Sequence, residues 1–188
     1  MRSKKVKIGS ILSIQTGFQI RKKIPLDIKG NYKLIQVKNI SESTLHYMKP
    51  KKLDKIYLSK DSKFMDKYIL KKEDILYLSK FYFKAFRYIG NLENILPMSH
   101  FYILRPSIPI NLDYLCWILN QSSMSRHVQG SLLSFISKKA LGNVEIPLPN
   151  EETQKKIAQI LSLRAEEIEI QKKIEQKNHI NQILTRIL

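Results

Sequence analysis

The sequence is poor in cysteine, tryptophan, glycine and acidic residues. Among its 188 residues are one cysteine, one tryptophan and six glycines. A single cysteine excludes a disulfide within the chain, and we expect Cys116, in the apolar run of residues 114–119, to be a small buried thiol. Acidic residues are also scarce, 16 against 33 lysines and arginines. The resulting formal charge of +17 indicates a polyanionic partner.

Long apolar runs are missing as well. No stretch reaches the roughly 18 apolar residues that a membrane-spanning helix requires. Residues 1–9 have no apolar core of a signal peptide. We therefore expect a cytoplasmic protein with no membrane association. Because 43% of the residues are apolar, the chain still has enough apolar side chains for a folded core.

The motifs of common catalytic and nucleotide-binding sites do not occur. The sequence has no Gly-x-Gly, no phosphate-binding loop, no methylation motif of the type (Asp/Asn)-Pro-Pro-(Tyr/Phe), and no His-Glu-x-x-His. One thiol is too few for a cysteine zinc site. The four histidines are far apart in sequence: His46, His100, His127 and His179. We therefore predict no catalytic residue, no cofactor and no metal ion.

One enzymatic alternative is a small nuclease. Carboxylates can bind the magnesium that such enzymes use, and one short segment combines them with lysines: Asp66, Lys71, Lys72, Glu73 and Asp74. The same residues are more typical of a charged turn whose carboxylates cap backbone amides. We take the charged turn as the primary interpretation.

Residues 6–107 have the pattern of short β-strands separated by turns. Residues 32–38 alternate as a strand does, residues 71–80 give a charged turn followed by a strand, and residues 101–105 form a strand that prolines end. A further turn is predicted at residues 15–18. Strands at this spacing predict a small barrel or a strongly twisted sheet.

Two helices are predicted after these strands. Asn111 and Asp113 mark the start of the first helix, whose end is expected near Gln129 and Gly130. Its apolar face consists of Leu112, Leu115, Ile118 and Leu119. A short strand over residues 144–146 follows, and then Pro147-Leu148-Pro149 fixes the direction of the chain. The second helix runs from this exit to the C-terminus.

The C-terminal helix, residues 151–188, would be about 57 Å long at roughly 1.5 Å per residue. In a heptad frame, six of its nine a and d positions are apolar: Ile160, Leu163, Ile170, Ile174, Leu184 and Leu188. A second apolar stripe lies beside them: Ile157, Leu161, Ile168, Ile180, Ile183 and Ile187. A body of 150 residues cannot cover so long a stripe, so we predict a partner helix. The alternative is a helix folded back on its own domain.

Positive charge is concentrated before this helix. Residues 151–188 contain seven basic and six acidic residues, which leaves 26 basic and 10 acidic residues, a net +16, in residues 1–150. Binding to a membrane surface would need a basic amphipathic helix, so nucleic acid is the better partner. The predicted fold class is α+β: a β-rich globular domain with a few helices, residues 1–150, which would bind nucleic acid, followed by one long coiled-coil-type helix, residues 151–188.

Basic residues interleaved with aromatic residues mark two segments, 17–23 and 80–88. Such loops can lie on phosphates while a longer side chain reaches a base edge. The candidate nucleic-acid-contacting residues in these segments are Arg21, Lys22, Lys23, Lys80, Tyr82, Lys84 and Arg87, and Lys38 of the strand predicted at residues 32–38 is added to them. In the alternative, Phe81, Phe83 and Tyr88 fill a sheet face and the cations are only solvated. Residues 49–52 form another basic turn that either faces DNA or is merely on the surface.

Taken in order, these segments resemble the specificity (S) subunit of type I restriction-modification systems. The most specific match is Pro-Leu-Pro followed by Glu-x-Gln-x-x-Ile-Ala-x-Ile-Leu, in residues 147–161. Weaker matches are residues 6–17 to the opening Leu-Gly-Asp-Ile…Gly element and residues 34–40 to an Ile-Arg-x-x-Asp-Ile strand that includes Lys38. Residues 73–76 match a Gly-Asp-Ile-Leu turn, with Glu73 in place of glycine.

The resemblance implies a target recognition domain, residues 1–150, and one conserved helix, residues 151–188. It implies a non-catalytic subunit that directs separate methyltransferase (M) and restriction (R) subunits, with S-adenosylmethionine bound elsewhere. Family members usually carry two such domains and two antiparallel helices, whereas no internal repeat is present here. A homodimer through the helix would restore that layout, each copy reading half of a bipartite double-stranded DNA target. The alternative is a truncated or silent specificity cassette that acts mainly through protein contacts.

Overall fold

The computed structural model describes residues 4–20, 25–50, 52–59, 62–80, 83–91, 93–121 and 135–187. Short strands and helices precede one long helix, which confirms the predicted α+β class. The elements are β1 (Lys4–Lys7), α1 (Ile8–Ile11), β2 (Leu12–Thr16), β3 (Tyr32–Ile35), a 3-10 helix (Val37–Glu42), β4 (Ser43–Thr44), β5 (Tyr47–Met48), β6 (Asp54–Ile56), α2 (Ser62–Asp66), β7 (Ile75–Leu78), β8 (Lys84–Tyr88), β9 (Ile95–Pro97), β10 (Phe101–Pro106), α3 (Leu112–Leu119), α4 (Lys138–Asn143), β11 (Glu145–Leu148) and α5 (Glu151–Ile187).

The described strands are divided among three sheets, whereas the sequence pattern predicted one barrel or one twisted sheet. The central sheet has the order β2-β10-β7-β8-β5-β4, the small sheet has the order β6-β3-β9, and β1 pairs with β11. Most neighbours are antiparallel, but β5 runs parallel to β8 and β3 parallel to β9. The strands predicted after the charged turn and before the prolines are present as β7 and β10.

Both faces of the central sheet are covered. Alternate residues of a strand point to opposite faces, and in β7 the side chains of Ile75 and Tyr77 join one buried cluster while Leu76 and Leu78 join another. The first cluster also contains the buried face of α3. Fully buried strands read as continuous apolar runs, as β7 does. A third cluster packs α2 against the small sheet around Met65.

The predicted strand over residues 32–38 ends early, at Ile35. The amide of Gln36 donates to the side-chain oxygen of Asn39 at 2.9 Å, and the amide of Asn39 donates to the carbonyl of Gln36 at 3.0 Å. An asparagine side chain that bonds the local backbone competes with a sheet ladder. The chain therefore turns into the 3-10 helix, and Lys38 lies on this helix rather than on a strand.

Helix α3 begins where predicted because Asn111 caps it. The Asn111 side chain accepts hydrogen bonds from the amides of Asp113 and Tyr114, both at 3.0 Å. The predicted end near residues 129 and 130 is wrong, since the helix ends at Leu119. There the side chain of Asn120 accepts from the amide of Ala85 at 2.7 Å and donates to its carbonyl at 3.0 Å. These two bonds attach the helix end to β8.

The predicted thiol and the predicted absence of a membrane-spanning helix can both be compared with the structure. Cys116 is fully buried on α3, as predicted, and burial raises the pKa of its thiol. Among the described helices, none combines the length and apolar character needed to cross a bilayer.

Candidate nucleic-acid interface and helix junction

The structure describes four of the eight predicted DNA-contacting residues. Arg21, Lys22, Lys23 and Tyr82 lie outside the described residues. Lys80 is exposed and its backbone bridges to Phe135. The Lys84 ammonium lies 5.3 Å from the centroid of the Phe86 ring. The structure therefore places these cations on the body without showing what they bind.

Arg87 belongs to a polar cluster inside the body. Its Nη1 donates to both carboxylate oxygens of Asp113, at 2.8 and 2.9 Å, and His46 Nε2 lies 3.4 Å from the same carboxylate. Burial alone would raise the pKa of Asp113, but hydrogen bonds from His46 and Arg87 outweigh it and hold the pKa at about 2. The cluster fastens α3 to β8 and to the turn before β5, so Arg87 has a structural partner.

The described aromatic residues of segment 80–88 pack against or within the core. Phe83 is half-buried against the cluster that contains α3, and Tyr88 is half-buried against the opposite cluster. Phe86, between them, is fully buried. For these described residues the structure agrees with aromatic side chains that fill the two sides of a sheet. Phe81 lies outside the described residues.

A groove beside the small sheet collects cations that are distant in sequence. It has a volume of about 640 Å³. We call it the basic groove because four lysines line it: Lys33 on β3, Lys49 and Lys52 in the loop between β5 and β6, and Lys55 on β6. Residues 49, 50 and 52 of the predicted basic turn thus lie on this groove, and residue 51 lies outside the described residues. Lys49 and Lys52 are exposed and form no ion pair with any residue that the structure describes.

Two of these lysines face each other across a strand pair. In the antiparallel pairing of β3 with β6, Lys33 lies directly opposite Lys55. The Lys33 ammonium is 3.2 Å from Glu93, and the Lys55 ammonium donates to the carbonyl of Ile28 at 3.4 Å. Like charges at directly opposite positions destabilise a sheet. The charge of Lys33 is thus already paired with an acidic residue, whereas the ammonium of Lys55 donates to a backbone carbonyl.

The acidic residues of the groove are already engaged. Asp54 forms an ion pair with Lys38 and accepts a hydrogen bond from the Gln36 side chain at 3.0 Å. Asp27 accepts from the amide of Lys29 at 2.8 Å. Lys38 is thereby held against Asp54, one of the residues that line the groove.

The carboxylates of the nuclease alternative have structural partners. Asp74 is buried, accepts from the amide of Lys71 at 2.7 Å and pairs with Arg105 Nε at 2.7 Å. Asp66 pairs with the Lys71 ammonium at 3.1 Å, and Glu73 is exposed. These bonds confirm the charged turn. Within the described part of the chain, no group of three or more histidine, cysteine, aspartate or glutamate residues is placed to hold a metal ion.

Helix α5 begins at Glu151, as predicted, and its first turn is bonded to the body. Gln154 is only 6% exposed; its side chain accepts from the amide of Asn111 at 2.9 Å and donates to the carbonyl of Pro149 at 2.9 Å. The Tyr114 hydroxyl donates to the carbonyl of Pro147 at 2.6 Å. The Pro-Leu-Pro exit and the helix start are thus held against α3.

Two apolar faces of α5 have different surroundings. Ala158 and Ala165 are each 9% exposed and lie on the side of the body, with Leu161 half-buried between them. The other face is uncovered and consists of Ile160, Leu163, Ile170 and Ile174, which are 66, 66, 57 and 53% exposed. From residue 169 to residue 182 every side chain is exposed. The first half of α5 therefore packs on its own domain, while the predicted seam does not.

The rest of the predicted seam has less structural description. Leu188 and the side chain of Leu184 lie outside the described residues. Ile180, from the second predicted stripe, is 56% exposed, whereas Ile157 and Ile168 of that stripe are half-buried. The second stripe thus changes from covered to uncovered along the helix.

Three solved structures are similar in fold to this chain. The S subunit of a type I restriction-modification system from M. genitalium has a TM-score of 0.58 and 18% identity, over 90% of this chain and 40% of that chain. The HsdS subunit from Thermoanaerobacter tengcongensis gives 0.61 and 19%, over 90% and 39%. A structure that concerns the complex assembly and conformational transition of the type I R-M system has a TM-score of 0.67 and 20% identity, over 93% of this chain and 41% of that chain.

The fold is therefore that of a type I specificity subunit, and the chain spans about two fifths of the length of each of these structures. Residues 2–182 match the family model of the type I restriction modification DNA specificity domain. The chain belongs to this family, which confirms the resemblance found in the sequence. A comparison with curated proteins finds no match.

Proposed function

We propose that this chain is the DNA-reading part of a type I restriction-modification system. It recognises one half of a bipartite double-stranded DNA target and directs separate M and R subunits, which supply the chemistry. Membership of the DNA-specificity family supports the proposal. The observation that carries it is the basic groove, on a body whose sequence has a net charge of +16.

The chemistry of the groove fits a phosphodiester backbone. A phosphate placed at Lys55 would ease its cross-strand repulsion with Lys33, whose own charge is paired with Glu93, and Lys49 and Lys52 would contact neighbouring phosphates. Phosphate contacts fix the register of a protein on DNA, and base contacts give the sequence preference. The predicted contacts from the two interleaved segments and Lys38 remain part of the proposal: Arg21, Lys22, Lys23, Lys38, Lys80, Tyr82, Lys84 and Arg87.

A second copy of the chain is the proposed partner for the uncovered face of α5. Four large aliphatic side chains on this face are more than half exposed. Burying each such side chain contributes about 1.5 to 3 kcal/mol. The helix is nearly neutral, with seven basic and six acidic residues, so two copies do not repel each other strongly. A twofold dimer would present two identical bodies to two inverted half-sites.

Methylome sequencing tests the function directly. The gene is deleted in cells that keep the cognate M subunit, and methylated positions are compared before and after. We expect one bipartite motif with two inverted, identical halves to disappear. An unchanged methylome together with M binding would instead support a silent cassette that acts through protein contacts.

A binding measurement separates DNA reading from a nuclease. If phosphate contacts dominate binding, the logarithm of the affinity should fall with the logarithm of the salt concentration, with a slope of about −0.9 per phosphate contact. A DNA-reading protein should also bind one sequence far more strongly than others. A nuclease would cut the same DNA with magnesium in the absence of any partner. Cleavage by the purified chain would contradict the proposed function.

A further inference from the structure

The uncovered face of α5 contains a symmetric pattern. In the heptad frame Glu167 occupies an a position and Lys177 a d position, and each is five residues from Lys172. Ile170 and Ile174 are each two residues from it. Positions 163 and 181, and positions 160 and 184, are related in the same way. The spacing of the seam is thus symmetric about residue 172, whereas the charges of Glu167 and Lys177 are opposite.

We infer that α5 pairs with α5 of a second copy in an antiparallel register centred on Lys172. Reversing one helix about this residue places Glu167 against Lys177 of the partner subunit and Ile170 against Ile174 of the partner subunit. Each a position then meets a d position, as interlocking knobs and holes require. A twofold axis repeats every contact. This inference rests on the proposed homodimer and specifies how its helices align.

Other alignments leave charges without a partner. A shift of one heptad in either direction places Glu167 against an aliphatic position, 170 or 184, and Lys177 against position 160 or 174. A parallel pair in register places Glu167 against Glu167 and Lys177 against Lys177. Burying a charge without an opposite charge is costly, and polar residues in a seam commonly fix its register. Among these alignments, only the one centred on Lys172 pairs both charges.

The side chains in the single chain are compatible with this contact. Glu167 is half exposed, and it engages Arg164 of its own helix through Oε2 at 2.6 Å. Lys177 is exposed and forms no ion pair with any residue that the structure describes. The register overlaps the two helices over residues 157–187, about 45 Å at roughly 1.5 Å per residue. The opposite face, with Ala158 and Ala165, stays on the body.

Exchange of the two charges tests the register. Glu167→Lys and Lys177→Glu each create like-charge contacts, so each variant should dimerise at least about tenfold more weakly than the wild type. An equal mixture of the two variants should form a heterodimer, because both contacts then join opposite charges. The double variant should recover wild-type dimerisation. Sedimentation velocity over a concentration series measures dimerisation of the two single variants, their mixture and the double variant. The control is Glu169→Lys, at an outer helix position, which should leave the dimer unchanged.

The outcomes separate this inference from the proposed function. A wild-type chain that is monomeric at all concentrations would contradict the homodimer itself. A wild-type dimer that both single variants preserve would overturn the register, since in a parallel pair each exchange replaces one like-charge contact with another.

A distance measurement gives a second readout that does not depend on charge. Nitroxide labels at Lys172→Cys should have no offset along the dimer axis, whereas labels at Ser162→Cys should be offset by about 30 Å. Cys116 is fully buried and should remain unlabelled. Double electron–electron resonance should therefore give a clearly longer distance for position 162. Equal distances for the two positions would overturn the antiparallel register.

Discussion

Many side chains of the body are buried or paired, whereas the described ones in the second half of α5 are exposed. In the body, apolar residues cover both faces of the central sheet, and Asp113 is held by Arg87 and His46. Beyond residue 168 the described side chains of α5 are all exposed. Isolated helices gain little stability without packing. The body is therefore stabilised from within, whereas the exposed half of the helix is where the proposed second copy would bind.

The largest effect is expected from substitutions on the uncovered face of α5. The double substitution Leu163→Glu with Ile170→Glu places charges on the uncovered face, so we expect the dimer to weaken by at least about a thousandfold. The second half of α5 should also lose helicity, because its described side chains are exposed within the single chain. Analytical ultracentrifugation and far-ultraviolet circular dichroism measure the two effects.

The body provides the control for that substitution. Trp117 lies on α3, so its fluorescence reports the packing of the body. Its emission and the melting temperature of the body should stay unchanged in the double variant. A large loss of body stability would show that the face is needed within the single chain and would contradict the proposed dimer.

The next effect concerns the polar cluster inside the body. Asp113→Ala removes the carboxylate that Arg87 and His46 share, and we expect the free energy of unfolding to fall by about 3 kcal/mol. Glu152→Ala removes an exposed i,i+4 pair with Lys156 on α5 and should cost less than about 0.5 kcal/mol. Urea denaturation of both variants measures the difference. Equal costs would mean that the cluster contributes no more than a surface pair.

The same cluster predicts a dependence on pH. The pKa of Asp113 is about 2 in the folded chain, below its ordinary value of 3.8, so the ionised form favours folding. This stabilisation is present above about pH 4 and is lost as the pH falls from about 4 towards 2, for a total of up to about 2 kcal/mol. The stability of Asp113→Ala should fall less over that range.

A smaller effect concerns the groove. Lys33→Gln with Lys55→Gln should weaken DNA binding by about tenfold and reduce the salt slope by about 1.8, since two phosphate contacts are lost. The stability of the unliganded protein should change by less than about 0.5 kcal/mol, because the loss of the Lys33–Glu93 ion pair offsets the removal of the cross-strand repulsion. Fluorescence anisotropy with DNA and thermal unfolding measure the two changes.

A matched pair on the helix distinguishes the groove from charge in general. Lys156→Gln with Lys173→Gln removes the same number of charges from exposed positions of α5. This control should change DNA affinity by less than about threefold. If the helix pair and the groove pair weaken binding equally, the groove is not the phosphate-binding surface.

Features determined by nearby residues could be predicted from the sequence. The Asn111 cap, the charged turn at Asp74 and the start of α5 after Pro149 each include a hydrogen bond between residues no more than five apart, and the structure contains all three. The end of α3 could not be predicted. It depends on Asn120 bonding to Ala85, which is distant in sequence.

The groove was not predictable for a related reason. Alternating polarity places Lys33 on a strand face, but no strand is predicted at Lys55, and only the register of β3 with β6 makes the two lysines neighbours. The ion pair of Arg87 with Asp113 likewise depends on α3 packing against β8. Sequence periodicity identifies the face of an element and not its partner.

The smallest effect compares two buried tyrosines, one inside the body and one at the junction with α5. The Tyr77 hydroxyl is buried and has no hydrogen-bond partner among the described residues. Tyr77→Phe removes an unsatisfied polar group, so stability should stay unchanged or rise by up to about 1 kcal/mol. Tyr114→Phe removes the bond to the carbonyl of Pro147 and should cost about 1 kcal/mol. Urea denaturation that shows equal losses for both variants would mean that Tyr77 also has a partner, and that the junction gains nothing special from its hydroxyl bond.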